Sequence, residues 1–551
     1  ILIIDIMKMK KYLLLIFSLS FLTACEDYVD INKSTTGVTD GDLEAGGLIY
    51  GTQLMDMQQR VIPIGSPSKT TEPGNDLAVT DVMSSGQYIG YFGMNNNWRL
   101  GTEATWDFAD NRMNYAYEQL YMKVYQPWVQ IYQKIGTSDE PEKQEIMAIF
   151  NVVKVAGWLR ATDCFGPIVY TNAGNGDIAP ALDKQEDVYK AMLKDLATCA
   201  DILNKATSKI MPKYDLIYDG DPVKWTKLTN SLMLRMAVRV HFVNEALAKE
   251  YIAKALDPKN GGVIESKADE AKIGNTSKYP LLNSLIATID YKENRMGATA
   301  WSYLTGYSDP RLEKYYTQGT YNEIKGYYCI APGNTQGQGT GRNSAEFASS
   351  PKVENADPLY WFRASETYFL KAEAALYDLI AEDVKNLYEA GVKMSMEEWG
   401  ITDAAATAYL SKGSVKPAAL TTSDYHYSNY SNPYGFDITA GNVSPKWDAA
   451  ASEEGKLQQI ITQKYLALYP NGVEAWTEYR RTGYPYLADL FDSNLPNKIG
   501  ADAKARTPER FSFSTKEHQG NPNMSSLSTL LNGPDKGGTK LWWVRSGRPV
   551  Q

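Results

Sequence analysis

Residues 457–479 read LQQIITQKYLALYPNGVEAWTEY, and their reading decides the fold. Leu457, Ile460, Ile461, Tyr465 and Leu468 recur at helical spacing, which puts them on one face of an amphipathic helix. Pro470-Asn471-Gly472 stops it, because proline has no N–H for the ladder and the next two residues favour a turn. Val473 opens a second helix that carries Trp476 and Tyr479. Helix, short turn, helix is an αα-hairpin.

Working outward, the rest of the chain holds more of the same text. Thr402 to Tyr409 and Asp383 to Trp399 read as helices, and Phe362, Phe369, Ala372, Leu376 and Leu379 share a face. Trp225, Leu228, Leu232, Met236 and Val240 define another helix. Its Arg235 and Arg239 stand one turn apart, a placement that suits salt bridges to neighbouring helices better than an anion site. Residues 185–204 put Val188, Met192, Leu196, Cys199 and Leu203 on one stripe, so Cys199 is read as a small core residue. Pro141, after Ser138-Asp139-Glu140, starts a helix that runs to about Arg160 through Ile146, Ile149 and Val153, and Asp163-Cys164-Phe165-Gly166-Pro167 breaks it. From Asn114, Tyr117, Leu120, Tyr121, Val124, Trp128, Ile131 and Ile135 share a face, with a kink expected at Pro127. Helix pairs separated by long loops predict a mostly α, helical-repeat scaffold. No strict 34-residue period is visible, so the repeats are degenerate.

Three irregular regions are rich in rings. Residues 88–110 carry Tyr88, Tyr91, Phe92, Trp98 and Trp106 among glycines and asparagines, and are read as a loop with exposed rings. Residues 257–358 hold Trp301, Tyr303, Tyr307, Tyr327 and Tyr328, then GNTQGQGTG at 333–341. That run lacks the Lys-Ser/Thr ending and the preceding apolar strand of a phosphate-binding loop, and is read as a plain loop. Residues 423–447 hold Tyr425, Tyr427, Tyr430, Tyr434, Phe436 and Trp447. Loops this long are uncommon in a domain unless they have work to do. The chain has 38 Tyr and 12 Trp against 14 Phe, an excess of rings with a polar end. Such rings suit wet recognition surfaces, sugar faces included, although half-buried helix contacts account for most of them.

Composition excludes several classes. With 43% hydrophobic and 22% charged residues over 551 positions, the chain can bury a substantial core. A net charge of −9 argues against a nucleic-acid partner, which needs a basic face. His241, His426 and His518 are widely separated, and Cys164, Cys199 and Cys329 show neither metal-ligand spacing nor a disulfide framework, so no metal or other cofactor is expected. Residues 8–27, KMKKYLLLIFSLSFLTACED, have a basic start (Lys8, Lys10, Lys11) and an apolar run too short for a ~30 Å hydrocarbon core, the anatomy of a secretory signal. Ile1 to Ile6 are expected to lie upstream of a start at Met7 or Met9. Leu22-Thr23-Ala24-Cys25 resembles a bacterial lipobox. That resemblance implies that residues 1–24 are a leader and that Cys25 is lipidated, with two or three acyl chains forming a stable anchor. Glu26 to Asp40 then reads as a short tether before the body.

Several blocks together resemble the SusD/RagB outer-membrane lipoproteins, in particular their second SusD-like subgroup. They are KWTKLTNSLMLRMAVRV (224–240), DPRLEKYY (309–316), RASETYFLKAEAAL (363–376), LYEAGVKMSMEEWGI (387–401), KLQQIITQKYLALYPNGVEAWTEYRRTGYP (456–485) and LWWV (541–544). The resemblance implies a SusD-like fold of four tetratricopeptide-like helix pairs with a loop-rich second half, over a single domain spanning 25–551. It also implies a non-catalytic surface lipoprotein of the outer membrane, which captures an oligosaccharide, or in some relatives a peptide, and delivers it to a SusC-like TonB-dependent transporter.

The family's ligand residues vary with substrate, so candidates rest on chemistry. Sugar C–H faces stack on Trp and Tyr, while sugar hydroxyls need amide, carboxylate and guanidinium partners. Asn97, Trp98 and Arg99 combine all but the carboxylate. Trp301 and Tyr303 in the second region, with Tyr430 and Tyr434 in the third, complete a platform if the loops meet. A helical glycoside hydrolase would need two carboxylates ~5–10 Å apart across a pocket. Glu366 with Glu373, or Glu397 with Glu398, are the pairs on offer, in text that equally supports salt bridges. A scaffold that binds peptides along its helix pairs is the third reading.

Overall fold

Helices dominate the described residues, which in this computed structural model are 48–65, 76–95, 103–276, 279–290, 292, 294–333, 346–421 and 434–550. The chain divides into two units, Ile1–Thr52 and Gln53–Gln551. Of the first, residues 48–52 are described, and they are helical. The helices of eight residues or more are α1 (Leu48–Val61), α2 (Asp110–Tyr117), α3 (Lys123–Ile135), α4 (Pro141–Phe165), α5 (Gln185–Leu203), α6 (Pro222–Val240) and α7 (Glu245–Leu256). They continue with α8 (Ala298–Gly306), α9 (Ala364–Leu376), α10 (Val384–Glu398), α11 (Asp403–Leu410), α12 (Glu453–Leu468) and α13 (Gly472–Thr482). Short strands form antiparallel ladders: β1 (Phe92–Met94) with β3 (Asn294–Met296), β2 (Ala271–Ile273) with β6 (Leu359–Phe362), and β4 (Gly319–Tyr321) with β5 (Ile324–Gly326).

Local chemistry explains the helix starts. Asp221, Asn244, Asp383, Thr402, Ser452 and Asn471 each cap a helix by accepting a backbone N–H in the first turn, which satisfies a donor the helix leaves orphaned. The 457–479 hairpin forms as read, with α12 ending at Leu468 and α13 beginning at Gly472. Asp81 fastens the turn. Its carboxylate accepts Gly472 N–H at 3.0 Å and pairs with Arg160 at 3.1 Å.

Successive helices then pair: α3 with α4, α5 with α6, α9 with α10, and α12 with α13, while α4 packs on α5, α6 on α9 and α9 on α12. All seven face residues read between Tyr117 and Ile135 are buried. A π turn over Glu118–Met122 joins α2 to α3, ahead of Pro127.

Charged residues tie the pairs together inside the core. Arg235 on α6 grips Glu366 on α9 through two 2.6 Å hydrogen bonds. Arg239, one turn on, pairs with Asp163 on α4 at 2.6 Å and with Glu474 on α13. Arg481 on α13 holds Glu373 of α9 at 2.5 and 2.7 Å and Glu478 at 2.6 Å. The two arginines of α6 are therefore used in salt bridges between helices, as read. Glu366 and Glu373 are occupied by the same network.

The end of α10 closes back on α9. Glu398 accepts Ser365 N–H at 2.7 Å and Ser365 Oγ–H at 2.9 Å. Burial, opposed by Arg363 and reinforced by Glu270, pushes the Glu398 carboxyl up to about 8. The folded protein thus holds this proton more tightly than the unfolded chain, whose carboxyl titrates near ~4.3. The resulting stabilisation is full below that value and is lost as pH rises through about 8. Glu398→Gln is therefore expected to gain on the wild type between pH ~5 and pH ~9. Urea midpoints at the two values measure it, and a pH-independent difference contradicts the assignment.

Three expectations need correction. α4 runs past Arg160 to Phe165 and ends at Gly166, whose φ of 90° suits glycine. Asp163 and Cys164 lie inside its last turn because their polar and apolar needs are met there: Asp163 takes the Tyr189 hydroxyl, Arg239 and the Trp543 N–H. Secondly, α8 lies in text read as irregular. Residues 298–304 of it are all buried, so no polar face marks its period. Thirdly, Tyr88, Tyr91, Phe92 and Trp106 are core residues, each no more than 3% exposed. Tyr91, for example, stacks on Tyr465 at 4.7 Å. Cys164, Cys199 and Cys329 are buried, and burial pushes the Cys164 thiol up to about 12, which keeps it inert.

Candidate ligand-binding face

The β1–β3 ladder is the place where the irregular regions meet. Its register pairs Phe92 with Met296, Gly93 with Arg295 and Met94 with Asn294. Gly93 is required by a close approach, since a Cβ there would stand 2.5 Å from the Ile330 side chain. Ala298 N–H donates to Ile330 O at 3.0 Å and Met296 N–H to Ser349 O at 2.7 Å, while Phe491 N–H donates to Pro332 O at 2.9 Å. The Tyr434 ring lies 6.1 Å from that of Phe491. Described residues flanking positions 96–102, 334–345 and 422–433 are therefore linked through one set of backbone and ring contacts.

Polar groups gather on this ladder. Asn95 Nδ2–H donates to Lys292 O at 2.8 Å, and Lys292 Nζ pairs with Glu346 at 2.5 Å. Arg295 is only 7% exposed, and its guanidinium donates from Nη1 to Asn294 O at 2.8 Å. Burial lowers its pKa and Glu346 opposes the shift. Half-exposed rings lie on and after the β4–β5 hairpin, Tyr321, Tyr327, Tyr328 and Phe347, and their segment joins the ladder through Ser349, which accepts Met296 N–H and donates to Tyr328 O. Tyr321 lies 5.2 Å from Phe347 and 6.0 Å from Tyr328. Ring faces next to amide and guanidinium donors can hold a hydroxyl-rich ring.

Of the residues singled out in the sequence, Asn97, Trp98, Arg99, Tyr430 and Cys25 lie outside the described residues. Trp301, Tyr303 and Tyr434, read as candidate platform residues of the second and third irregular regions, are buried. Trp301 Nε1–H donates to Tyr327 O at 2.8 Å, the Tyr303 hydroxyl to Tyr486 O at 3.0 Å and the Tyr434 hydroxyl to Asp489 O at 2.6 Å. With the polar ends satisfied, burying the ring faces is favourable. Sequence reasoning missed Arg295, Tyr321 and Phe347. A three-residue strand is too short to show a period of two, so only the pairing with β1 singles out Arg295. Among the described residues no group of His, Cys, Asp or Glu is placed to hold a metal ion, and no helix is long and apolar enough to cross a membrane.

The comparisons agree over nearly the whole length. A family model described as "SusD-like: Susd and RagB outer membrane lipoprotein" matches residues 30–544. The structure of BT1043 is similar at 56% identity and a TM-score of 0.88, covering 92% of this chain and 99% of that one. A chitin-binding SusD homologue from Flavobacterium johnsoniae is 30% identical with a TM-score of 0.79, over 91% of this chain and 100% of that one. A SusD homologue from Bacteroides vulgatus is 29% identical with a TM-score of 0.80, over 93% and 99%. No curated protein matches the chain. The helix-pair fold and this whole-length match agree: the chain belongs to the SusD-like family of outer membrane lipoproteins.

Proposed function

We propose that this protein is a cell-surface lipoprotein, anchored through Cys25 after removal of residues 1–24, that binds an oligosaccharide and passes it to a SusC-like TonB-dependent transporter. Residues 25–551 act as one working body, and no catalytic step is involved. The observation that carries the reading is a nearly buried guanidinium and an amide at the β1–β3 ladder, joined through Ser349 to a segment on and after the β4–β5 hairpin that carries four half-exposed rings. In this reading Asn97, Trp98, Arg99 and Tyr430, which lie outside the described residues, contribute to the ligand platform together with Trp301, Tyr303 and Tyr434. The chitin-binding relative lends the ligand class. The first of the two carboxylate pairs open to a hydrolase argues the same way, because Glu366 and Glu373 are spent on Arg235 and Arg481.

Titration with N-acetylglucosamine oligomers, followed by tryptophan fluorescence and by chromatography of the ligand, tests the reading. Arg295→Ala is expected to weaken binding about ten- to a hundredfold, the worth of a charged hydrogen bond, with the oligomer recovered intact. Equal affinity in the variant removes Arg295 from the site, and a shortened oligomer overturns the non-catalytic reading.

A further inference from the structure

A cavity of about 290 Å³ lies between β6, the end of α10 and the α12–α13 turn. It shares no residue with the loop face. Much of its wall is apolar, with Leu77, Val82, Leu285 and Leu468 among the lining side chains. One cation stands out in it.

The Arg363 side chain is 10% exposed, yet its guanidinium makes no hydrogen bond with the described residues. Its nearest carboxylate, Glu398, is 3.8 Å away and caps Ser365 instead. Arg235 shows the contrast: equally buried, it is matched by Glu366 through two 2.6 Å hydrogen bonds. The flat faces of the Arg363 guanidinium are taken by rings, with its carbon 3.6 Å from the Tyr360 centroid and 5.1 Å from that of Trp399. What remains is the in-plane N–H edge. A planar fork of N–H donors with covered faces matches a carboxylate, which accepts two parallel hydrogen bonds.

The other charges of the wall do not compete for that edge. Glu366 is held by Arg235 and Asp81 by Arg160. Asp357 accepts Glu354 N–H at 2.8 Å, and Lys352 donates to Glu313 O at 3.1 Å. Both oxygens of Glu398 are engaged by Ser365, which donates its N–H and its Oγ–H, and burial raises its carboxyl. An apolar chamber with one guanidinium whose N–H edge makes no hydrogen bond with the described residues selects a ligand with an apolar body and a single anionic end. An all-polar sugar would leave the wall unused, and a simple inorganic anion would leave the chamber empty.

We propose that this cavity binds a small amphipathic carboxylate, its carboxylate on the Arg363 N–H edge and its hydrocarbon against Leu77, Val82, Leu285 and Leu468. The proposal stands independently of the glycan reading, since the two sites have no residue in common.

Calorimetry of the purified protein with hexanoate, and with 1-hexanol as the uncharged analogue, tests it. Hexanoate is expected to bind with one-to-one stoichiometry, and hexanol at least about tenfold more weakly, as expected when a charged hydrogen-bond pair is lost. Arg363→Gln should lose a similar factor, Arg363→Lys should retain part of the affinity, and N-acetylglucosamine oligomers should not compete. If Arg363→Gln fails to fold, the wild-type comparison decides alone: hexanoate must raise the melting temperature where equimolar hexanol and chloride do not. No hexanoate binding at ~10 mM, equal binding of hexanol, or full affinity in a folded Arg363→Gln variant overturns the proposal.

Discussion

Arg481→Met is expected to destabilise the protein by ~3–5 kcal/mol at neutral pH, the cost of stranding a buried charge partner. Arg481 is fully buried and holds Glu373 from α9 and Glu478 from its own helix. Methionine restores the volume but none of the donors. Glu373 would keep only His241, at 2.9 Å, and Glu478 would keep Lys464, at 3.2 Å, and the more distant Arg239, at 3.6 Å. In the wild type, burial raises the Glu373 carboxyl, and Arg481 with His241 overcomes that and holds it at about 2. A depressed folded pKa contributes stability above the unfolded value of ~4.3 and loses it as pH falls. The penalty of the variant should therefore shrink at pH ~4, where its stranded carboxyls can take up protons. Urea unfolding at pH 7 and pH 4 measures both, and a loss below ~1 kcal/mol at neutral pH contradicts the network's role.

Trp158→Ala should cost a similar ~3–5 kcal/mol by a different mechanism, a cavity. The Trp158 ring is fully buried where α4 crosses α3. It stacks on Tyr121 at 4.7 Å, lies 5.7 Å from Trp128, and meets Tyr170 edge-on at 5.6 Å. Its N–H donates to Tyr121 O at 3.2 Å. The neighbouring Gly157 lets the helices approach, because a Cβ there would stand 2.9 Å from Val124. The walls cannot close over the missing ring without moving this contact. Trp158→Phe, which keeps a ring, should recover about half of the loss. Chemical unfolding of both variants checks this, and equal stability of the two would refute the packing account.

The helix-pair half of the fold was legible because its signals are local. In 457–479 one apolar stripe, one proline stop and one asparagine cap sit within a few residues of the features they specify. The pairing of Arg235 and Arg239 was legible too, since two guanidinia in the otherwise apolar run 232–240 need partners from elsewhere. What resisted reading depends on distant contacts. Tyr91 sits in glycine-rich text that looks like loop, and only its stack on Tyr465 makes it core. Trp301 and Tyr303 lie on a helix with no polar face to betray it. Arg295 owes its place to a three-residue ladder with a strand some two hundred positions earlier. Aromatic enrichment singles out regions of the chain, but composition does not say whether a ring's face is covered.

The most direct test of the central claim is a calorimetric titration of the lipid-free protein, residues 26–551, against a panel of glycans, with Trp98→Ala alongside. The account predicts binding to one polymer class, without cleavage, that weakens at least about tenfold when the stacking ring is removed. Silence across the whole panel would contradict it.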